Sequence, residues 1–261
     1  MPLLIATWNV NSIKARADHV KRFLSERSPD ILMVQELKGE NLPEISDDYD
    51  AYFVGQKAYN GVAIFVKKNG GSPVDLIHSR LGGDESDEQA RYIELDWNGI
   101  RLIDIYLPNG NPVSIDSEKF PYKIRWMDRL FNRVSELRAA QIPFLIGGDF
   151  NVIPEDQDCY DPKAWDGDAL FHPQTHEKWR ALLNLGLVDA FRVLHPFETE
   201  SYSFWDYQAG AWQKNNGIRI DHFLLSPALA DRLESCRIDR EPRGWEKASD
   251  HTPVLIEISE S

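Results

Sequence analysis

Pro143 to Asn151 reads PFLIGGDFN, and its abrupt change from apolar to polar character sets the reading of the whole chain. Phe144, Leu145 and Ile146 form a short apolar run of the kind a buried strand carries. Two glycines follow, then a carboxylate and a carboxamide. On an extended chain Asp149 and Asn151 share one face and Phe150 takes the other, so two polar groups stand together at the mouth of a strand. Gly147 and Gly148 leave room there for another backbone or a ligand. Gly, Asp and Asn also make ordinary turns, so the stretch by itself leaves a plain strand-to-turn reading open.

The same shape recurs along the chain. Leu3 to Val10 (LLIATWNV) reads as a strand ending at Asn9, with Ser12 capping a helix whose Ile13, Ala17, Val20 and Leu24 fall at helical spacing. Ile31 to Val34 is an apolar strand that stops at Gln35 and Glu36. Gly61 to Val66 is a third strand. Arg91 to Leu95 and Ile100 to Leu107 flank Trp97-Asn98-Gly99, a hairpin signal, and the second arm runs out at Tyr106, Pro108 and Asn109. Lys119 to Ala140 carries Ile124, Met127, Leu130, Phe131, Val134 and Leu137 on one helical face. Pro154 to Pro173 lacks periodicity and reads as a long surface loop. Glu177 to Leu185 and Pro227 to Glu234 read as helices, and Tyr202 to Trp205, Ile218 to Leu225 and Val254 to Ile258 as strands. Alternating strands and helices with hairpins, in two halves that each hold a strand ending in Asn, predict an α/β fold: two packed mixed β-sheets flanked by helices.

Composition bounds the partners. With 261 residues, 42% of them hydrophobic, and no linker-like stretch, one domain over residues 1–261 is expected. The N-terminus has no basic region ahead of its short apolar run, and no run is long enough to span a bilayer, so no membrane association is expected. Cys159 and Cys236 are too few for a disulfide framework and lack metal-site spacing, which suits a reducing cytoplasm. Nothing demands a partner chain, so a monomer is expected. A net charge of -13 argues against a general nucleic-acid coat. It is compatible with a site that meets phosphate through a divalent ion, whose carboxylate ligands belong to the acidic count.

Asn9, Glu36, Tyr106, Asp149, Asn151 and the pair Asp250-His251 all sit just beyond apolar runs, and Asp221 interrupts one. Strands that end together bring such residues together. Each has a structural reading: turn formers for Asn9 and Asn151, a core ring with a wet hydroxyl for Tyr106, an Arg219 partner for Asp221. Jointly they are the oxygen and nitrogen groups a hard cation and a phosphodiester need. Glu36, with Asn9 and Asp250, offers ligands for Mg²⁺ or Mn²⁺. His251 held by Asp221 meets phosphate or moves a proton. Asp149 orients or deprotonates water, and Asn151 holds water or phosphate. Trp245, beside Arg243 and Lys247, is a candidate stacking contact for an exposed nucleobase, and Lys119 and Arg125 are candidate phosphate contacts.

Trp8-Asn9-Val10-Asn11-Ser12, Gln35-Glu36, Tyr59-Asn60-Gly61-Val62-Ala63, Tyr106-Leu107-Pro108-Asn109-Gly110, Gly148-Asp149-Phe150-Asn151, Arg219-Ile220-Asp221-His222 and Ser249-Asp250-His251-Thr252-Pro253 run in one order through nearly the whole chain. Together they resemble the signature blocks of the exonuclease III family of abasic-site endonucleases. The resemblance implies a four-layer α/β sandwich and Mg²⁺-dependent cleavage 5′ to an abasic site in double-stranded DNA, often with 3′-5′ exonuclease and 3′-phosphatase activity at 3′ ends. It makes Glu36 a metal ligand with Asn9 and Asp250 near the ion, sets Asp149, Asn151 and Tyr106 around the phosphate, and pairs Asp221 with His251. Asn109 joins the substrate side. Phe204, Trp205, Ile218 and Ile220 match positions near the pocket for the base-less sugar. Two other readings stay open: a phosphodiesterase of the same fold acting on RNA or a phospholipid or inositol phosphate, and a DNA-binding or scaffold protein with a dead site.

Overall fold

The computed structural model describes residues 2–68 and 74–259. In chain order its elements are β1 (Leu3–Asn9), α1 (Ala17–Arg27), β2 (Ile31–Gln35), β3 (Tyr49–Val54), β4 (Val62–Lys67), β5 (Val74–His78), β6 (Tyr92–Trp97), β7 (Ile100–Tyr106), α2 (Lys119–Ala139), β8 (Phe144–Asp149), α3 (Pro173–Asn184), β9 (Val188–Asp189), α4 (Ala190–Leu194), α5 (Ala211–Lys214), β10 (Asp221–Leu225), α6 (Pro227–Ala230), β11 (Leu233–Ile238) and β12 (Val254–Ile258). The strands form two six-stranded sheets, β11-β12-β1-β2-β4-β3 and β5-β6-β7-β8-β10-β9. Each has one parallel pair at its centre, β1 with β2 and β7 with β8, among antiparallel neighbours. The expected pair of mixed sheets with outer helices is what the chain forms.

The period-two alternation of strand side chains decides what each face does. From β8, Phe144 and Ile146 point outward to Trp126, Met127 and Leu130 of α2, and Leu145 points inward to Met33 and Phe223. From β1 and β2, Ala6, Trp8, Leu32 and Val34 point outward to Val20, Phe23 and Leu24 of α1, and Ile5 and Met33 point inward. The inward parity, followed to the strand ends, arrives at Asn9, Gln35, Tyr106, Asp149 and Asp221. Polar residues of one parity therefore collect where the gap between the sheets opens. Register enforces this: Asn9 pairs with Gln35, Tyr106 with Asp149, and Asp221 with Asp149. Among the described residues no helix is long and apolar enough to cross a membrane.

Several boundaries differ from the sequence reading. Ser12 caps the turn that leads into α1, its Oγ accepting the Ala15 N–H at 3.3 Å and its carbonyl the Arg16 N–H at 3.1 Å, while the regular helix starts only at Ala17. α3 begins earlier than expected, at Pro173, because the His172 ring accepts the Gln174 N–H and Pro173 takes the first helical position. The expected helix from Pro227 stops at Ala230, and Leu233–Ile238 is strand. Tyr202 to Trp205 makes only two isolated bridges at Phe204, to Ile218 and to His251.

The two glycines of β8 have different tasks. A Cβ on Gly148, at φ +143, would lie 2.0 Å from the Ile105 carbonyl oxygen, so the neighbouring backbone occupies the space. A Cβ on Gly147 would meet the Met33 sulfur and the Phe223 ring at 2.6 Å. Side chains can shift and a paired backbone cannot. Gly148→Ala is therefore expected to cost about 2–4 kcal/mol in urea unfolding, and Gly147→Ala less, about 1–3 kcal/mol. Equal costs would show that the β7–β8 approach does not need the bare backbone.

Candidate active site

β1 and β2 continue past their ladder ends as a pair of turning backbones. Val10 N–H donates to Gln35 O, Ser12 N–H to Glu36 O and Ile13 N–H to Leu37 O. Glu36 at φ 58 leaves strand geometry and turns its carboxylate toward the gap. The buried Asn9 side chain lies between the sheets, and its Nδ2 donates to Glu36 Oε1 and to Asp149 Oδ2, each at 2.9 Å. Its Oδ1 is taken by the Asn11 N–H at 3.0 Å. Asn9, expected near the metal, thus stands between the two carboxylates as a donor that aligns them.

From the second sheet, Asp149 Oδ1 accepts the Asn151 N–H at 2.9 Å. Asn151 in turn donates to Leu107 O at 2.9 Å and accepts from Asn109 Nδ2 at 3.1 Å. Asp221 Oδ2 holds His251 Nδ1 at 2.8 Å, and the other ring nitrogen faces Asp149 Oδ2 at 3.8 Å. Ser249 fixes the chain before His251 by donating to Asn9 O at 2.8 Å. Ligand atoms of Glu36, Asp149 and His251 all lie within 4.8 Å of one another. Two carboxylates and an imidazole that close are a donor set able to hold a metal ion. Oxygen-rich character suits a hard divalent cation.

The electrostatics have the same origin. Burial drives the Asp149 carboxyl well above its ordinary value; the charge of His251 opposes this, and Asp221 and Glu36 add to it. Burial alone would lower His251, but the Asp221 carboxylate on its ring outweighs that and raises it. Burial also works to raise Glu36, yet the Lys38 ammonium, 2.7 Å from Oε2, and the Asn9 amide hold it below its usual value. Burial, with Glu36 and Asp149 nearby, pushes the Tyr106 hydroxyl well up and keeps it a proton donor.

Glu36, Tyr106, Asn109, Asp149, Asn151, Phe204, Ile218, Ile220, Asp250 and His251 line one cleft of about 260 Å³. Asn9 and Asp221 are buried behind it. Asp250 lines the cleft but lies outside the three-residue cluster, its Oδ1 accepting from Asn11 Nδ2 at 3.0 Å. Trp205, expected beside the sugar pocket, is fully buried and packs edge-on against Trp212 at 4.8 Å, so it supports the Asp250 segment from behind. Trp245 is half-buried against α1, edge-on to Trp8 and under the Arg22 guanidinium at 4.2 Å, away from the cleft lining. Lys119 and Arg125 are exposed on α2, Arg125 3.5 Å from Glu118.

Sequence reasoning passed over Lys38, Trp165 and Lys123. Lys38 stands two residues beyond Glu36, a spacing that on a turn brings the two charges together. Lys123 sits at helical spacing with Phe120, Met127 and Leu130, so a cation on an apolar stripe was the available signal. It is fully buried, with Nζ donating to Asn151 O at 2.6 Å and Asn109 O at 3.1 Å, which ties α2 to the cleft floor.

The sequence profile of the Endonuclease/Exonuclease/phosphatase family matches residues 6–251. An exodeoxyribonuclease of Bacillus subtilis is 32% identical over 261 residues, covering 98% of this chain and 99% of its own. A 3′ phosphatase from Neisseria, solved bound to product DNA hairpin, superposes with a TM-score of 0.91 at 36% identity, over 99% of this chain and all (100%) of its own. An AP endonuclease from Archaeoglobus fulgidus gives 0.90 at 36% identity, over 99% and 100%.

Burial lowers the Lys123 ammonium from 10.5 to about 7, against the pull of Asp149 and Asp168. The folded state therefore binds fewer protons than the unfolded between those values, and the stability this group contributes is present above pH 10.5 and lost as pH falls toward 7. In urea melts across pH 7 to 10 the wild type is expected to gain on Lys123→Met as pH rises. A constant difference would mean that Lys123 stays charged in the fold.

Proposed function

Because the chain belongs to the endonuclease/exonuclease/phosphatase family, we propose that it is a DNA-repair nuclease that hydrolyses the phosphodiester 5′ to an abasic site in duplex DNA. It works as a monomer and a single domain, and also trims 3′ ends as a 3′-5′ exonuclease and 3′-phosphatase. The observation that carries this reading is the meeting of Glu36, Asp149 and His251 within 4.8 Å in one cleft. Support for the DNA substrate comes from the relatives, among them an exodeoxyribonuclease, a phosphatase bound to DNA and an AP endonuclease.

Glu36, with Asp149 beside it, would hold Mg²⁺ or Mn²⁺. Bound there, the ion polarises a phosphoryl oxygen and stabilises the leaving oxygen. Every other task falls to the chain. Asn9 aligns the two carboxylates, so neither turns away as charge moves. Asp149, whose carboxyl is pushed up by burial, takes a proton from the attacking water. The His251 imidazolium, oriented by Asp221 on Nδ1, offers Nε2 to the phosphate and offsets its charge. The Tyr106 hydroxyl and the Asn151 amide steady the remaining oxygens. Water oxygen bonds to phosphorus as its proton passes to Asp149, the bond to the 3′ oxygen breaks, that oxygen takes up a proton from solvent, and the products are a 3′ hydroxyl and a 5′ phosphate. Phe204, Ile218 and Ile220 form an apolar wall suited to a sugar without its base.

A duplex carrying one abasic site is expected to be nicked on its 5′ side with Mg²⁺ and left intact with EDTA. Asp149→Asn and His251→Ala should each lose about 10²–10⁴ of the rate. Binding without cleavage by the metal-loaded wild type would overturn the assignment, and near-normal turnover in either variant would remove that residue's role.

A further inference from the structure

A second groove of about 300 Å³ opens beside the catalytic cleft. Trp165, Phe204, Asp206 and Ile218 line both, so the two spaces adjoin, with these side chains as the wall between them. Tyr160, Gln208 and Asn216 line the groove alone. No Lys or Arg is among its lining residues and Asp206 stands at the junction, a composition that repels phosphate. What remains is ring faces with amide and carboxylate groups around them, which fits a flat neutral group carrying hydrogen-bond donors and acceptors on its edge. In nucleic acids that group is a nucleobase.

The groove is formed in advance of any ligand. One wall is the 3₁₀ turn Pro162–Trp165, started by Asp161 capping the Lys163 N–H. The other is the segment from Phe204 through α5. Backbone bonds lock them together: Tyr160 N–H to Gly217 O at 3.1 Å, Asn216 N–H to Ala211 O at 2.9 Å, and the Phe204–Ile218 bridge. Gly217 is packed so closely that a Cβ there would fall 2.6 Å from the Trp205 and Tyr202 rings. The volume is at the low end for small-molecule sites, roughly 300–1,000 Å³.

We propose that this groove is a nucleobase subsite. When the nucleotide adjoining the one in the cleft is unpaired, its base stacks on Tyr160 and Trp165, with its edge toward Asn216, Gln208 and Asp206. The proposal rests on the nuclease reading of the cleft. It assigns the chain a preference for frayed or mismatched 3′ ends over fully paired ones.

Excision from a duplex with a short unpaired 3′ tail, compared with incision of a fully paired duplex carrying one abasic site, tests it. Tyr160→Ser removes a stacking face that does not line the catalytic cleft, and Ala164→Trp fills the groove from its exposed rim. In both variants KM for the tailed substrate is expected to rise roughly tenfold or more with kcat held, and abasic incision to stay unchanged. A 2-aminopurine in the tail should change its fluorescence on mixing with wild type in EDTA and not with Tyr160→Ser. Equal effects on the two substrates, or the same fluorescence response in wild type and Tyr160→Ser, would overturn the subsite. A wild type that cuts neither substrate but still shows the Tyr160-dependent response would overturn the nuclease reading and uphold the groove.

Discussion

One carboxamide joins the two sheets at the site. Asn9 Nδ2 reaches Glu36 at the end of its own sheet and Asp149 at the end of the other, 140 residues away in sequence. The half-buried Glu36 and buried Asp149 carboxylates repel each other and lose hydration when the sheets pack, a cost that fixed donors or a cation can offset. Asn9 supplies both donors from one rigid group, and its oxygen is pinned by Asn11. The spacing of the sheets at their open end and the spacing of the acidic groups are therefore the same quantity.

The layer beneath repeats the device with less charge. Gln35 donates to Thr7 Oγ1 at 2.9 Å within its own sheet and to Asp104 Oδ1 at 2.6 Å across the gap. Burial drives the Asp104 carboxyl well above its ordinary value, with the Gln35 amide opposing it. Gln35 immediately precedes Glu36, so this cross-sheet bond anchors the turn from which the acidic side chain projects. Lys38 on Glu36 and Asp221 on His251 then balance the outermost groups.

How much of this was legible follows from what each residue's position depends on. Strands with both faces covered are largely apolar runs, so β1, β2 and β8 and the polar residues ending them could be read directly, and β7 from the Asn98-Gly99 hairpin signal before it. Edge strands could not: β3, with its exposed Asp50 and Ala51, and β5, with its exposed Asp75, lack both the run and a clean alternation. Which end of the Asn9 amide meets the carboxylates is not written in composition; the Asn11 N–H on its oxygen turns the nitrogen toward Glu36 and Asp149. Trp205 and Trp165 are both aromatic residues in irregular segments, and only packing separates the buried support from the cleft wall.

Chemistry and selectivity therefore occupy different parts of the chain. Strand ends carry the groups that must stay fixed to within a hydrogen bond, because ladder register cannot drift without turning every side chain over. The segments around Trp165 and Phe204 carry the walls, where a ring can be exchanged without disturbing a ladder. Charge follows the same division. With a net charge of -13, and with Lys38 on Glu36, Lys123 buried on backbone carbonyls and Arg219 on Asp158 and Asp189, few cations near the cleft are free to attract a polyanion from a distance. Long-range attraction is the part of nucleic-acid binding that does not distinguish one stretch from another. A chain that holds its cations in internal pairs gains little from long-range attraction and depends on short-range contact within the cleft.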